Sequence, residues 1–213
     1  MMMTVKKAQA PILMATLSPY QEAYFETDEA YENQLITEVP LKEVTINMAY
    51  FKGSHFKNVQ FEQVTFDNCD FQDVFFEHCA LLNCSFIGNT FQRVAFEGCQ
   101  LVGADFAEAG LRDVRFGACK LDYAGFNQTR IRHVDFEECS LQEVAFEYVD
   151  WQWLTMSGND LNGIDLTGTN LKAFDLSHNT FEKAVFSLDL LRGATVSSAQ
   201  TLVIMSALRI NVR

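Results

Sequence analysis

The groups in this 213-residue chain capable of chemistry are six cysteines, four histidines and an excess of carboxylates, 28 Asp+Glu against 16 Lys+Arg. Thiols and imidazoles together hold zinc, thiols in pairs form disulfides, and neighbouring carboxylates share protons or bind hard cations. Their spacing argues against each use. Cys69, Cys79, Cys84, Cys99, Cys119 and Cys139 are separated by multiples of five residues, and the cysteines nearest in sequence fall on different faces of the repeat described below. His55, His78, His133 and His178 stand alone, with no second ligand at metal spacing, and read as solvated surface. The glycines form no phosphate-binding loop ending in Lys-Ser/Thr. These residues predict a protein that binds rather than catalyses, with no cofactor.

The element that positions them is a repeat. From Ile46 to Val196 every fifth residue, the central position i, is large and apolar without exception: 31 consecutive positions, 16 of them Phe. Two residues earlier, at i−2, 24 of the 31 are Ala, Ser, Thr, Cys or Val, and all six cysteines lie there as small buried thiols. Period five fits neither a straight helix nor a continuous strand. It fits a short extended segment with i−2 and i inward, followed by a corner. Eight of the 11 glycines sit at i+2, where a corner demands unusual backbone angles, and all three prolines fall outside the repeat from Val44 to Ser198.

A longer period of twenty sets the number of corners. Val74, Val94, Val114 and Val134 stand twenty apart, as do Cys79, Cys99, Cys119 and Cys139, and Leu81 to Leu161. Four pentapeptides per coil predict an all-β, square-sectioned parallel β-helix of about eight coils, roughly 37 Å long at the usual strand spacing.

Residues 1–43 are expected to cap the first coil, with Pro11–Leu17 as a strand laid against it and a helix opening at Ser18, with Pro19 and Gln21 completing the start signal. Leu41 already falls in phase. Residues 44–198 form the β-helix and 199–213 a C-terminal helix and tail. Lys6 and Lys7 precede an apolar run that is short and holds a proline, so no secretory leader is expected, and no run is long enough to span a membrane. Buried free thiols point to a reducing, cytoplasmic home.

Ala104-Asp105-Phe106, Ile164-Asp165-Leu166 and Phe174-Asp175-Leu176 resemble the A-(D/N)-L-x-x signature of the pentapeptide-repeat proteins. Over about three quarters of the chain, this resemblance implies a right-handed quadrilateral β-helix. Leu191-Arg192-Gly193-Ala194-Thr195-Val196 followed by Ala199-Gln200 is similar to the ending of the Qnr-type quinolone-resistance members. That likeness implies a DNA mimic that binds DNA gyrase, and topoisomerase IV as a further candidate, with no direct nucleic-acid or membrane contact. It also implies a homodimer joined end to end through Leu202, Val203, Met205, Leu208 and Ile210. The chain departs from the Gram-negative members in having no loops projecting from the rod.

Charge locates the expected contact. Residues 44–198 hold 21 acids and 11 bases, net −10. The wall through Phe66, Phe86, Phe106, Phe126 and Phe146 exposes Asp67, Asp105, Glu108, Glu147 and Asp165 with no base. The wall through Phe76, Phe96, Phe116 and Phe136 carries Glu77, Glu97, Asp135, Glu137, Glu138 and Asp175 against Lys57 and Arg115. The wall through Phe71, Phe91 and Leu111 is net positive. The expected partner site is Asp135, Glu137, Glu138, Glu147, Asp165 and Asp175. A different class of function, a scaffold for an unrelated partner, would instead use outward Phe75, Leu82, Val102, Tyr123, Tyr148 and Trp153.

Overall fold

The structure is a computed structural model and describes residues 7–207. Parallel strands stack at a constant offset of twenty residues, as in Val74↔Val94, Val94↔Val114 and Val114↔Val134. The same offset holds at the end of the rod, where Ile164 pairs with Ala184 and Asp175 bridges Thr195. The coil is therefore a quadrilateral parallel β-helix of about eight turns, as the periods of five and twenty predict. Phenylalanines fill its axis. Phe76, Phe96, Phe116 and Phe136 stack ring on ring at 4.7–4.9 Å, the spacing of the coils themselves, and each is at most 1% exposed.

Corners explain i+2. Gly98 has φ +61° and donates its N–H to the Gly117 carbonyl of the next coil. The same left-handed conformation recurs at residues with side chains, Met48, Arg93, Glu138 and Trp153 among them. A non-glycine residue there costs roughly 1–2 kcal/mol, and the inter-coil hydrogen bond each corner makes offsets it.

The i−2 position has a role beyond its size. Cys79 Sγ donates to the Phe56 carbonyl at 3.3 Å, Cys99 to Phe76 at 3.4 Å and Cys139 to Phe116 at 3.3 Å. Asn89, Thr129 and Asn159 make the same bond to Phe66, Phe106 and Phe136, each 23 residues earlier. A corner carbonyl facing inward finds no strand partner, and Cys, Thr or Asn satisfies it.

The first coil begins earlier than the expected boundary at 43. Ala30–Glu32, Gln34–Thr37 and Pro40–Lys42 pair with Tyr50–Lys52, His55–Lys57 and Gln60–Glu62 in the same register, and Tyr31, Ile36 and Leu41 occupy buried i positions. Glu29 and Gln34 at i−2 disguise the period there. Pro40 thus lies inside a coil, on the free edge, where its missing N–H leaves no ladder bond unmade.

The helix expected from Ser18 does not form. Ser18–Pro19 add to the strand Gln34–Thr37, with Ser18 N–H donating to Asn33 and Tyr20 N–H to Leu35, both at 2.9 Å. An open strand edge offers these amides partners at once, whereas a helical first turn leaves its leading N–H groups orphaned. Tyr20, Phe25 and Tyr31 then pack over Phe51 and close the end of the core. Nor is Pro11–Leu17 a strand; the segment before Ser18 leaves the coil end and runs along the outside of the rod.

Candidate partner-binding surface

The cysteines are free and buried. Burial pushes the Cys69 and Cys84 thiols up to about 11, and thiol–thiol hydrogen bonding together with burial raises Cys99 and Cys139 as well. All four are held as thiols, suited to donating to carbonyls and unsuited to nucleophilic attack. Two of the histidines are not solvated. His55 is half-buried against Phe75, with Nε2 3.0 Å from Glu77, and His133 lies flat on Trp153 with ring centroids 4.4 Å apart. A side chain at an outward position is covered when its neighbour one coil up is aromatic. Among the described residues, no group of three or more His, Cys, Asp or Glu is placed to hold a metal ion.

The acidic residues separate into three environments. On the Phe76 wall they are largely paired: Lys57 and His55 both meet Glu77 at 3.0 Å, and Arg115 reaches back to Glu97 at 2.8 Å and forward to Glu137 at 3.0 Å. Glu137, named in the expected partner site, is therefore half of an ion pair. The signal was present in sequence, since Arg115 sits at i−1 between two i+1 glutamates on adjoining coils.

Asp135 is overturned as a surface residue. It is 9% exposed, accepts a hydrogen bond from Thr155 Oγ1, and is covered by the chain's own N-terminal segment, whose Ala8 N–H donates to its Oδ2 at 3.0 Å. Gln9 N–H meets Asp113 Oδ1 at 3.2 Å and Ile12 N–H meets Asp73 Oδ1 at 3.0 Å, so the segment runs back along the rod across successive coils. Asp73 also takes a bidentate Arg93 at 2.7 Å. Burial would raise its carboxyl, but Arg93 and the Ile12 amide outweigh it and hold it below the usual range.

The third environment is unpaired. On the Phe66 wall Asp67, Asp105, Glu108, Glu147 and Asp165 form no ion pair among the described residues. Asp105 and Asp165 each accept the backbone N–H two residues on, which fixes the carboxylate against the corner without neutralising it. Glu138 and Asp175, on the Phe76 side, are exposed. Partial burial works against Asp175, but two hydrogen bonds from Ser177 and the nearby His178 prevail and keep it ionised below the usual range. The structure thus brings Glu147 and Asp165 onto one wall, leaves Glu138 and Asp175 on another, and withdraws Asp135 and Glu137.

Of the expected scaffold residues, Tyr123, Tyr148 and Trp153 are exposed, while Phe75 is half-buried beneath the N-terminal segment. At the far end, α1 (Ser198–Ala207) docks on the last coil. Ser197 and Gln200 form a reciprocal capping pair, with Ser197 N–H donating to Oε1 at 2.8 Å and Gln200 N–H to Oγ at 3.3 Å. Val203 packs on the core and Met205 is half-buried, but Leu202 is 54% exposed, and below them Phe186, Leu191 and Val196 are only partly buried. Leu208 and Ile210 lie outside the described residues.

A loop-free square rod, closed by an aromatic plug at one end and a helix at the other, defines a solenoid whose outward surface is its means of interaction. The chain belongs to the pentapeptide-repeat family: the profile for the pentapeptide repeat region matches residues 89–166, and that for pentapeptide repeats (8 copies) matches 47–81 and 69–107. No curated protein sequence matches it. Among solved structures it is similar to a trypsin-treated variant of QnrB1, a plasmid-mediated fluoroquinolone resistance protein, at 19% identity over 88% of this chain and 100% of that one, TM-score 0.44. Full-length QnrB1 gives 17% identity over 83% and 100%, TM-score 0.43. HetL, involved in heterocyst differentiation regulation in Nostoc sp. strain PCC 7120, gives 15% over 78% and 88%, TM-score 0.38.

Proposed function

We propose that this protein is a DNA mimic of Qnr type that binds a type II topoisomerase, DNA gyrase or topoisomerase IV, in the place of a DNA segment. In doing so it modulates the enzyme and confers quinolone protection. The observation that carries the reading is the Phe66 wall, a straight face with carboxylates on the coils of Phe66, Phe106, Phe146 and Leu166 and no cation beside them. DNA carries one charge per about 1.7 Å; the rod is sparser, but Asp105 and Asp165 are held in fixed positions by the corner amides, so little ordering of them is needed on binding. Glu147 and Asp165 on this wall, with Glu138 and Asp175 on the opposite side of the rod, form the contact, and two rods joined through α1 present it on both sides of their junction. The absence of projecting loops favours inhibition of the enzyme over protection.

Purified gyrase, assayed for supercoiling with and without a quinolone, tests this. Neutralising Glu138, Glu147, Asp165 and Asp175 to Gln or Asn leaves every inward residue in place; inhibition should weaken and its salt dependence flatten. A folded variant that inhibits at unchanged concentration removes these residues from the site. Equal loss on neutralising Arg112, Arg130 and Arg132 moves the contact to the basic wall, and salt-independent binding favours the scaffold reading through Tyr123 and Tyr148.

A further inference from the structure

Residues 8–13 lie in a shallow groove along the corner between the Phe71 and Phe76 walls. Its rims supply buried acceptors, Asp73 and Asp113 on one side and Asp135 on the other, and Phe75 and Ala95 line an open cleft together with Ala10, Pro11 and Leu13. These carboxylates occupy outward positions, yet they are 7%, 6% and 9% exposed. Each accepts one backbone N–H of the segment, so recognition is directed at an extended main chain and not at a particular side chain. Pro11 falls between the donors, where its missing N–H costs nothing. Nearby charges are partly balanced, Arg93 meeting Asp73 and Arg112 standing 3.9 Å from Asp113, so the strip is not a general cation trap.

The hold is light. Among the described residues, the segment's hydrogen bonds run to side chains, none to a coil backbone, and of its two large apolar side chains Leu13 is only half-buried and Ile12 is 69% exposed. Three such bonds are set against the freedom regained by six backbone residues on release, terms of comparable size. Composition fits the groove, since no acid occurs before Glu22 in a chain of 28 acids, and a carboxylate in the segment would face Asp113 or Asp135.

We propose that this corner is a peptide-binding groove occupied in cis by the chain's own N-terminal segment. It exchanges that segment for an extended, acid-poor peptide of a partner protein, one with backbone N–H groups at two adjacent positions and at a third three residues on. The inference is independent of the topoisomerase reading.

The test uses the full chain carrying Ala8→Pro, Gln9→Pro and Ile12→Pro, which removes the three donors, and a fluorescein-labelled peptide with the sequence of residues 7–14 as probe. Because the segment lies outside the coils, melting of this variant should match the unsubstituted chain. The probe should bind the variant about tenfold or more tighter than the unsubstituted chain, whose groove is filled at high effective concentration. Adding Asp113→Ala and Asp135→Ala should abolish that binding. No binding to the variant, equal binding to both chains, or binding indifferent to the aspartates overturns the proposal. If the variant does not fold, hydrogen exchange on the unsubstituted chain decides. Amides of Ala8, Gln9 and Ile12 exchanging about 100-fold or more faster than those of Val94 and Val114 support an exchangeable segment, and equal protection overturns it.

Discussion

Gln200 stands over Asn179 where a further coil would have placed its next inward polar residue: its Nε2 donates to the Asn179 carbonyl at 2.8 Å and equally to that of Leu176. The column Cys139, Asn159, Asn179 is thereby ended by a side chain from α1, and the last coil's inward carbonyls are satisfied without another turn. A helix so attached is part of the core's hydrogen-bond network.

Replacing Gln200 with Ala strands the buried Asn179 carbonyl and the Ser197 amide, while the Leu176 carbonyl keeps its bonds from Asn179. The expected cost is about 1–3 kcal/mol per unsatisfied group at most, read as a lowered urea midpoint. A variant with an unchanged midpoint would show that α1 docks through Val203 alone.

Phe116 lies between Phe96 and Phe136 in an unbroken ring stack and is fully buried. Phe116→Ala should destabilise by about 3–5 kcal/mol, because coils locked at their hydrogen-bonded spacing do not collapse into the gap. Wild-type-like melting would refute this packing.

Dimerisation through the C-terminal end is expected from the partly exposed Phe186, Leu191 and Val196 and from Leu202 on α1. A charge there is costly only if the face is covered by a second copy. Leu202→Glu should convert a dimer to a monomer in sedimentation without lowering the monomer's stability; an unsubstituted chain that sediments as a monomer at micromolar concentration rules the interface out.

Acid should destabilise the fold in two steps. Burial lowers the His55 pKa against the opposing pull of Glu77, so its contribution is complete above the unfolded value, about 6.5, and is lost as pH falls through the lower folded value. Asp73, also lowered on balance, contributes above about 4 and loses that contribution at still lower pH. Thermal midpoints at pH 7.5, 5.5 and 3.5 should fall in that order, and His55→Phe, which keeps a ring on Phe75, should flatten the first step. A midpoint unchanged between pH 7.5 and 5.5 in the unsubstituted chain would leave His55 without this role.

The coil was legible in sequence because each pentapeptide reports its own burial: Phe96 and Gly98 declare inside and corner within a few residues, and stacking at twenty follows from repetition. Where the i−2 phase holds polar residues, as at Glu29 and Gln34, the period is masked although the backbone continues it, since ladder bonds do not depend on side-chain type. The same reason hid the N-terminal segment. Its hold on the rod is made by backbone amides, which every residue but proline possesses, so nothing in Ala8 or Gln9 marks them as donors. Asp135 and Glu138 are alike in the one-dimensional pattern, outward acids on one coil. Only the folded chain separates them, because the group that buries Asp135 arrives from Ala8, 127 residues away. The sequence by itself determined the rod, its register and its net charge. Which carboxylates face the solvent was decided by tertiary contacts across coils.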